Sequence, residues 1–158
     1  MLESLREEGM CFGCGSRNSI GLKLVFEQDG EVTRTTFVGA PEHQGWKGVI
    51  HGGLLATLLD EAMGQWLWAR KIVTMTAEMT TRYRTATPVG VKLTVEAKRV
   101  AEKGRLIQME AWIKLPDGTV SARAAAKFLK VKPEDMPKGA SSLEQNRSSV
   151  VIEGKPDQ

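Results

Sequence analysis

Cysteine and histidine are scarce, with two of each in 158 residues. Both cysteines fall in "CFGCG", as Cys11 and Cys14, and a closed structural zinc site would need two further ligands. The histidines, His43 and His51, stand eight positions apart, outside the usual H-x3–5-H spacing of zinc motifs. A redox C-x-x-C normally opens a helix after a strand, whereas this one runs into the turn-rich "GSRNSIGL". Two reduced structural thiols are therefore expected, with no metal and no cofactor. Long apolar runs are missing too. No stretch approaches ~18 apolar residues, so no membrane-spanning helix is expected. The opening "MLESLREEGM" mixes both charges and lacks the apolar region of a signal peptide. Charge of one sign is also in short supply: 22 Lys+Arg against 19 Asp+Glu leaves +3. That is too little to imply nucleic acid and is compatible with an anionic small ligand. Together these absences lead to the expectation of a cytoplasmic protein.

What is present is an ordinary globular composition, 41% hydrophobic and 26% charged, in a length that suits one domain with a real core. Residues 1–20 form an N-terminal segment carrying the cysteines, with Leu2, Leu5 and Met10 as a weak helical stripe over 1–10. The runs 21–28 and 31–38 alternate and are joined by Asp29-Gly30, a two-residue hairpin signal. Residues 39–50, rich in Gly and Pro, read as a loop, and a helix follows over about 52–70. Four further strands are expected over 72–85, 91–100, 105–115 and 119–131, separated by Pro88/Gly90, Lys103-Gly104 and Pro116-Asp117-Gly118. The segment 132–158 is polar and is expected to be a flexible tail.

The order is β-β-α-β-β-β-β. Short turns between the last four strands require antiparallel neighbours, and period-two alternation gives each strand one buried face. One helix and one one-sided sheet pack best if the sheet curls round the helix. The small Ala122, Ala124 and Ala126 stand where a helix would approach. This is an α+β architecture, the hotdog fold, with its domain over 21–131.

The helix itself is unusual. At about 100° per residue, Leu54, Leu55, Leu58, Leu59, Ala62, Met63 and Trp66 cover one half, and Thr57, Asp60, Glu61 and Gly64 fall on the other. Asp60 and Glu61 lie beyond the first turn, so the helix dipole does not account for them. Gly64 costs about 1 kcal/mol against Ala in a helix interior, which points to a close partner at that position. A solvated or interface face explains these residues as well as a catalytic carboxylate does. At the other end, "HGG" (His51, Gly52, Gly53) opens the helix, where backbone N–H groups lack intrahelical acceptors. Glycine lets a ligand come close, so the mouth can receive an anion or a carbonyl oxygen gaining negative charge. The glycines serve a sharp loop-to-helix turn equally well.

His51-Gly52-Gly53 followed by an acid nine residues after the histidine resembles the hotdog acyl-CoA thioesterases, and most closely their phenylacetate-degradation-type branch. "CFGCGSRNSIGL" is similar to the C-x-x-C-G-x-x-N-P-x-G-L opening of many members, with Ser19 in place of the proline. The resemblance extends over about residues 11–131 and implies hydrolysis of a CoA thioester. It implies that the Gly52 N–H polarises the thioester carbonyl, and that Asp60 of a partner subunit acts as base or nucleophile. Glu61 is an additional acid beside it, and the residues leave open which of the two works. By the same resemblance Thr76 helps position the water, His51 orients the loop or contacts the thioester, and Gln44 replaces an amide that relatives carry before the HGG. A homodimer or a dimer of dimers with sites at the interface is implied, with acyl-CoA as substrate and neither nucleic acid nor membrane as partner.

CoA is polyanionic, so cations are sought for its phosphates. Arg82 and Arg84, on one side of their strand, and Lys103 and Arg105, beside a turn, are candidates, and Trp46 is a candidate for lining an acyl pocket. Two rival readings remain at this stage. A non-catalytic acyl-CoA-binding module would share the fold, and an acyl-thioester hydratase or dehydratase would pair His43 with Glu61.

Overall fold

The structure is a computed structural model, and it describes residues 9–136. The expected helix over 1–10 and most of the expected tail lie outside the described residues. Six strands form one antiparallel sheet: β1 (Glu27–Asp29), β2 (Val32–Val38), β3 (Thr74–Tyr83), β4 (Lys92–Lys103), β5 (Leu106–Lys114) and β6 (Val120–Lys130). Their spatial order is β1-β2-β4-β5-β6-β3. Among the described residues one α-helix, α1 (Gly52–Ala69), lies in the concave face. This is the expected hotdog order and architecture.

Alternation decides which side chains meet the helix. Leu93, Val95 and Ala97 of β4, Ile107, Met109, Ala111 and Ile113 of β5, and Ala122, Ala124, Ala126 and Phe128 of β6 are all buried. They face Leu55, Leu58, Leu59, Ala62, Met63 and Trp66 of α1 in one core. The three alanines lie opposite an apolar helix that bigger side chains would push away. Trp66 fits into this core because its Nε1–H donates to the Glu31 carbonyl at 2.8 Å, so its one polar atom is satisfied.

The first strand departs from expectation. Only 27–29 pair with β2. Lys23, at φ 53, interrupts the extended run, and the preceding half pairs elsewhere. Leu22 N–H donates to Phe12 O (2.8 Å) and Leu24 N–H to Gly13 O (2.9 Å). Residues 22–24 thus anchor the cysteine loop, with Leu24 buried. The β1–β2 and β4–β5 turns are also one residue further on than expected. They centre on Gly30-Glu31 and Gly104-Arg105, with Gly30 (φ 56) and Gly104 (φ 59) first. A glycine at the first central position is what a tight hairpin turn of this kind requires.

On the outer face, Glu96 is only 5% exposed and accepts from Arg34 Nε (2.7 Å), Trp112 Nε1 (2.7 Å) and Lys114 Nζ (2.6 Å). Burial pushes its pKa up, but the hydrogen bonds from Lys114, Arg34 and Trp112 outweigh that and hold it below the usual carboxylate value. A depressed folded pKa contributes stability above the unfolded value of about 4.3, and that contribution is lost as pH falls through the folded value. Glu96→Gln is expected to cost about 1–3 kcal/mol at pH 7. In urea melts the gap from wild type should close in acid, and a gap independent of pH would contradict the assignment.

Candidate active site

The helix mouth is built by the loop before it. A short 3-10 turn, Pro41–His43, is followed by bridges Gln44↔Ile50 and Val49↔Pro88, which bring His51 to the N-cap of α1. His51 Nδ1 accepts from the Gly53 N–H at 2.9 Å, so that donor is occupied. The N–H groups of Leu54 and Leu55 donate to His51 O. Among the described residues no acceptor pairs with the Gly52 N–H, which is left as the donor at the mouth. Tyr83, which the sequence reading did not single out, donates its hydroxyl to Gly52 O at 2.8 Å and braces this turn from β3. A cleft of about 630 Å³ adjoins the mouth, with His51, Leu54, His43, Phe12 and Ile20 among its walls.

The two neighbouring acids go to different places. Asp60 Oδ1 accepts from Thr76 Oγ1 of β3 at 2.8 Å. Burial raises the Asp60 pKa; the Thr76 hydrogen bond opposes this, and the Glu61 charge adds to it. The result is a carboxylate more basic than one in water. β3 is an edge strand whose outer rim pairs with nothing among the described residues, so the Asp60–Thr76 pair stands at a free sheet edge. Glu61 turns to the N-terminal loop instead. It accepts from Gln65 Nε2 (2.7 Å) and faces Cys11 Sγ at 3.7 and 3.8 Å.

Other expected site residues lie apart from this pair. Gln44 is engaged within its own loop, accepting from the Gly48 N–H and donating to Pro41 O. His43 Nδ1 accepts from the Ala40 N–H at 2.9 Å and its ring packs on Phe37. With Glu61 held by Gln65 and facing Cys11, His43 and Glu61 do not pair within this chain. Arg82 pairs across the sheet with Arg123, in the outward register, whereas Tyr83 opposes the buried Ala122. Arg82 and Arg84 therefore share the outer face, away from Gly52 and Asp60, and Arg84 lines a cleft there with Trp112 and Lys114. Trp46 is 84% exposed and is not among the residues lining the cleft at the mouth. Lys103 ends β4 and Arg105 lies in the β4–β5 turn, at the far end of the sheet from Tyr83 and the mouth.

An unpaired N–H at a glycine helix mouth and a partly buried helix carboxylate define a site able to polarise a carbonyl and activate a nucleophile. A model of the thioesterase superfamily matches residues 47–122, from the loop before α1 into β6. The chain has the hotdog fold of that superfamily. It is similar to the acyl-coenzyme A thioesterase THEM4 of Bos taurus, at 25% identity over 135 residues that cover 84% of this chain and 56% of that protein. The chain spans about half the length of the curated relatives it matches. A solved thioesterase superfamily protein is similar with TM-score 0.73 and 30% identity, over 77% of this chain and 60% of that one. A hypothetical thioesterase of Streptococcus pneumoniae, solved with coenzyme A, shares the fold at TM-score 0.65 and 19% identity, over 68% and 88% of the two chains. Among the described residues no helix is long and apolar enough to cross a membrane.

Proposed function

We propose that this chain is an acyl-CoA thioesterase whose active site is completed by a second copy of itself. The observation that carries the reading is the separation of its two catalytic groups. Gly52 and Asp60 lie eight residues apart on one helix, about 12 Å along the axis. An aspartate side chain does not span that distance to a carbonyl held at the Gly52 N–H. Each group is exposed to a partner: Gly52 at the mouth, Asp60 at the unpaired edge beside β3. Two antiparallel copies joined at that edge bring the Gly52 of one to the Asp60 of the other. The unpaired rim of a ten-residue strand favours such pairing.

In the proposed reaction the thioester carbonyl accepts from the Gly52 N–H at the positive end of α1, which stabilises the oxyanion as it forms. Asp60 of the facing copy takes a proton from the water that attacks the carbonyl, or attacks directly to give a mixed anhydride that water then hydrolyses, while Thr76 fixes its rotamer. The thiolate of CoA leaves and the free acid is released. His51 acts by holding the mouth in shape through Gly53. Coenzyme A on a structural neighbour and the acyl-CoA activity of the named relatives support the substrate class. The HGG…Asp pattern supports the phenylacetate-degradation-type branch within it. Thiol release from a panel of short, long and aromatic acyl-CoAs tests the reading. Tight acyl-CoA binding without turnover would replace it by the non-catalytic module.

Gly64 supplies a separate check on the second copy. A Cβ added there meets nothing within 4 Å in this chain, so the close partner expected from the sequence is not intramolecular. On a lone chain, Gly64→Ala would stabilise by about 1 kcal/mol through helix propensity alone. The proposal predicts the reverse for the assembly. Sedimentation should show a weaker dimer for Gly64→Ala, and a dimer equal to or tighter than wild type would count against a seam at that face.

A further inference from the structure

The cysteine loop and Glu61 form a cluster that the thioesterase reading leaves unused. Cys11 Sγ, Cys14 Sγ and a Glu61 carboxylate oxygen all lie within 4.8 Å of one another. Two elements 50 residues apart in sequence converge to make it, and the convergence is close. A Cβ on Gly13 would fall 2.5 Å from Glu61 Cδ, so a larger residue there would require the Glu61 side chain to move. The loop is fixed by backbone bonds: Gly15 N–H to Cys11 O (2.9 Å), Arg17 N–H to Gly9 O (3.0 Å), and the two that tie 12–13 to 22–24.

We infer that Cys11, Cys14 and Glu61 form a binding site for a thiophilic divalent cation of the zinc type. The distances suit a shared metal ion. Cys11 Sγ stands nearly equidistant from both Glu61 oxygens, at 3.7 and 3.8 Å. With Zn–S of about 2.3 Å and Zn–O of about 2.0–2.2 Å, a tetrahedron has an S···O edge of roughly 3.6 Å. C-x-x-C is the ligand spacing that suits such an ion, and two thiolates select zinc over magnesium or calcium. Gln65, one helical turn beyond Glu61, donates Nε2–H to Cys14 Sγ (3.0 Å) and to Glu61 Oε1 (2.7 Å). That is the outer hydrogen bond that orients and stabilises metal-bound anions. All three ligand residues are half-buried, and a water completes four-coordination in a three-ligand zinc site of this kind. Binding releases the two thiol protons. The ion clips the N-terminal loop to α1 and holds Glu61 away from Asp60. This inference does not depend on the thioesterase reading.

Cobalt(II) titration of the full, reduced chain tests it, with zinc(II) as competitor. One equivalent is expected to bind, with a thiolate-to-cobalt charge-transfer band and the visible bands of a tetrahedral ion, all displaced by zinc. Cys11→Ser and Cys14→Ser should each remove most of the charge-transfer band. Glu61→Gln keeps both thiolates, so it should retain that band while weakening affinity by an order of magnitude or more. Circular dichroism of each metal-free variant confirms that it is folded, and the Glu61 variant carries the test should a cysteine variant fail to fold. Failure of wild type to bind either ion stoichiometrically at micromolar concentration would overturn the inference. Binding unchanged in the folded variants, or a Cys11–Cys14 disulfide in place of the two thiols, would overturn it too.

Discussion

Asp60→Asn is expected to lower thioester hydrolysis by about 10²–10⁴-fold, the range for loss of a positioned base or nucleophile. Asparagine keeps the shape and can still accept the Thr76 hydroxyl through its Oδ1, so fold and substrate affinity should survive. What it loses is the capacity to take a proton or to attack. Glu61→Gln is the matched control. Its carboxylate faces Cys11 and Gln65, not Thr76, and its turnover should stay within a few-fold of wild type. Steady-state thiol release on the best acyl-CoA reads both variants. Loss in Glu61→Gln alone would move the chemistry to the other acid, and equal losses in the two would mean that turnover needs both.

Gly52→Pro should be nearly as damaging, at about 10²–10³-fold in kcat, because it deletes the one N–H that faces the carbonyl. Ordinarily such a change would confound catalysis with folding. Here the backbone is ready for it. Gly52 is the first residue of α1, where proline is favoured and its missing N–H costs no helical bond. His51, at φ -58 and ψ 132, already has the extended conformation that a following proline demands. An added Cβ would meet Tyr83 at 3.5 Å, an ordinary contact. The variant should therefore melt at or above the wild-type temperature while losing activity. Retained activity would remove the Gly52 donor from the mechanism.

The parts of this molecule that were legible in the sequence are those governed by local period. β5 alternates strictly, with Ile107, Met109, Ala111 and Ile113 all buried, and β4 and β6 alternate over most of their core-facing length. The single apolar helix with glycines at its start was equally plain. Residues 21–26 were misread as strand because their alternation is real. Their backbone partners are Phe12 and Gly13, a pairing that no period shows. The turns slipped by one residue because Asp-Gly and Gly-Glu both suit a hairpin and only register decides between them. Thr76 beside Asp60 rested on family likeness, since sixteen residues and a loop separate them. The approach of Cys11 and Cys14 to Glu61, and of Tyr83 to Gly52, depends on how loop, helix and sheet dock, and local pattern carries none of that. Arg82 and Arg84 were proposed for phosphates on charge alone. The register of β3 against β6 puts them on the outer face.

The shared site is tested most directly by complementation between the two inactive variants. Asp60→Asn and Gly52→Pro are each expected to be nearly inactive as homodimers. In a mixed dimer, one site takes Gly52 from the first chain and Asp60 from the second and is wholly wild type, while the other site carries both lesions. Co-expression in equal amounts should restore roughly a quarter of wild-type turnover, since half the dimers are mixed and each has one working site. If both groups served from the same chain, every site in the mixture would carry one lesion or the other. Activity no higher than that of the separate variants, in a sample shown to contain mixed dimers, would contradict the account.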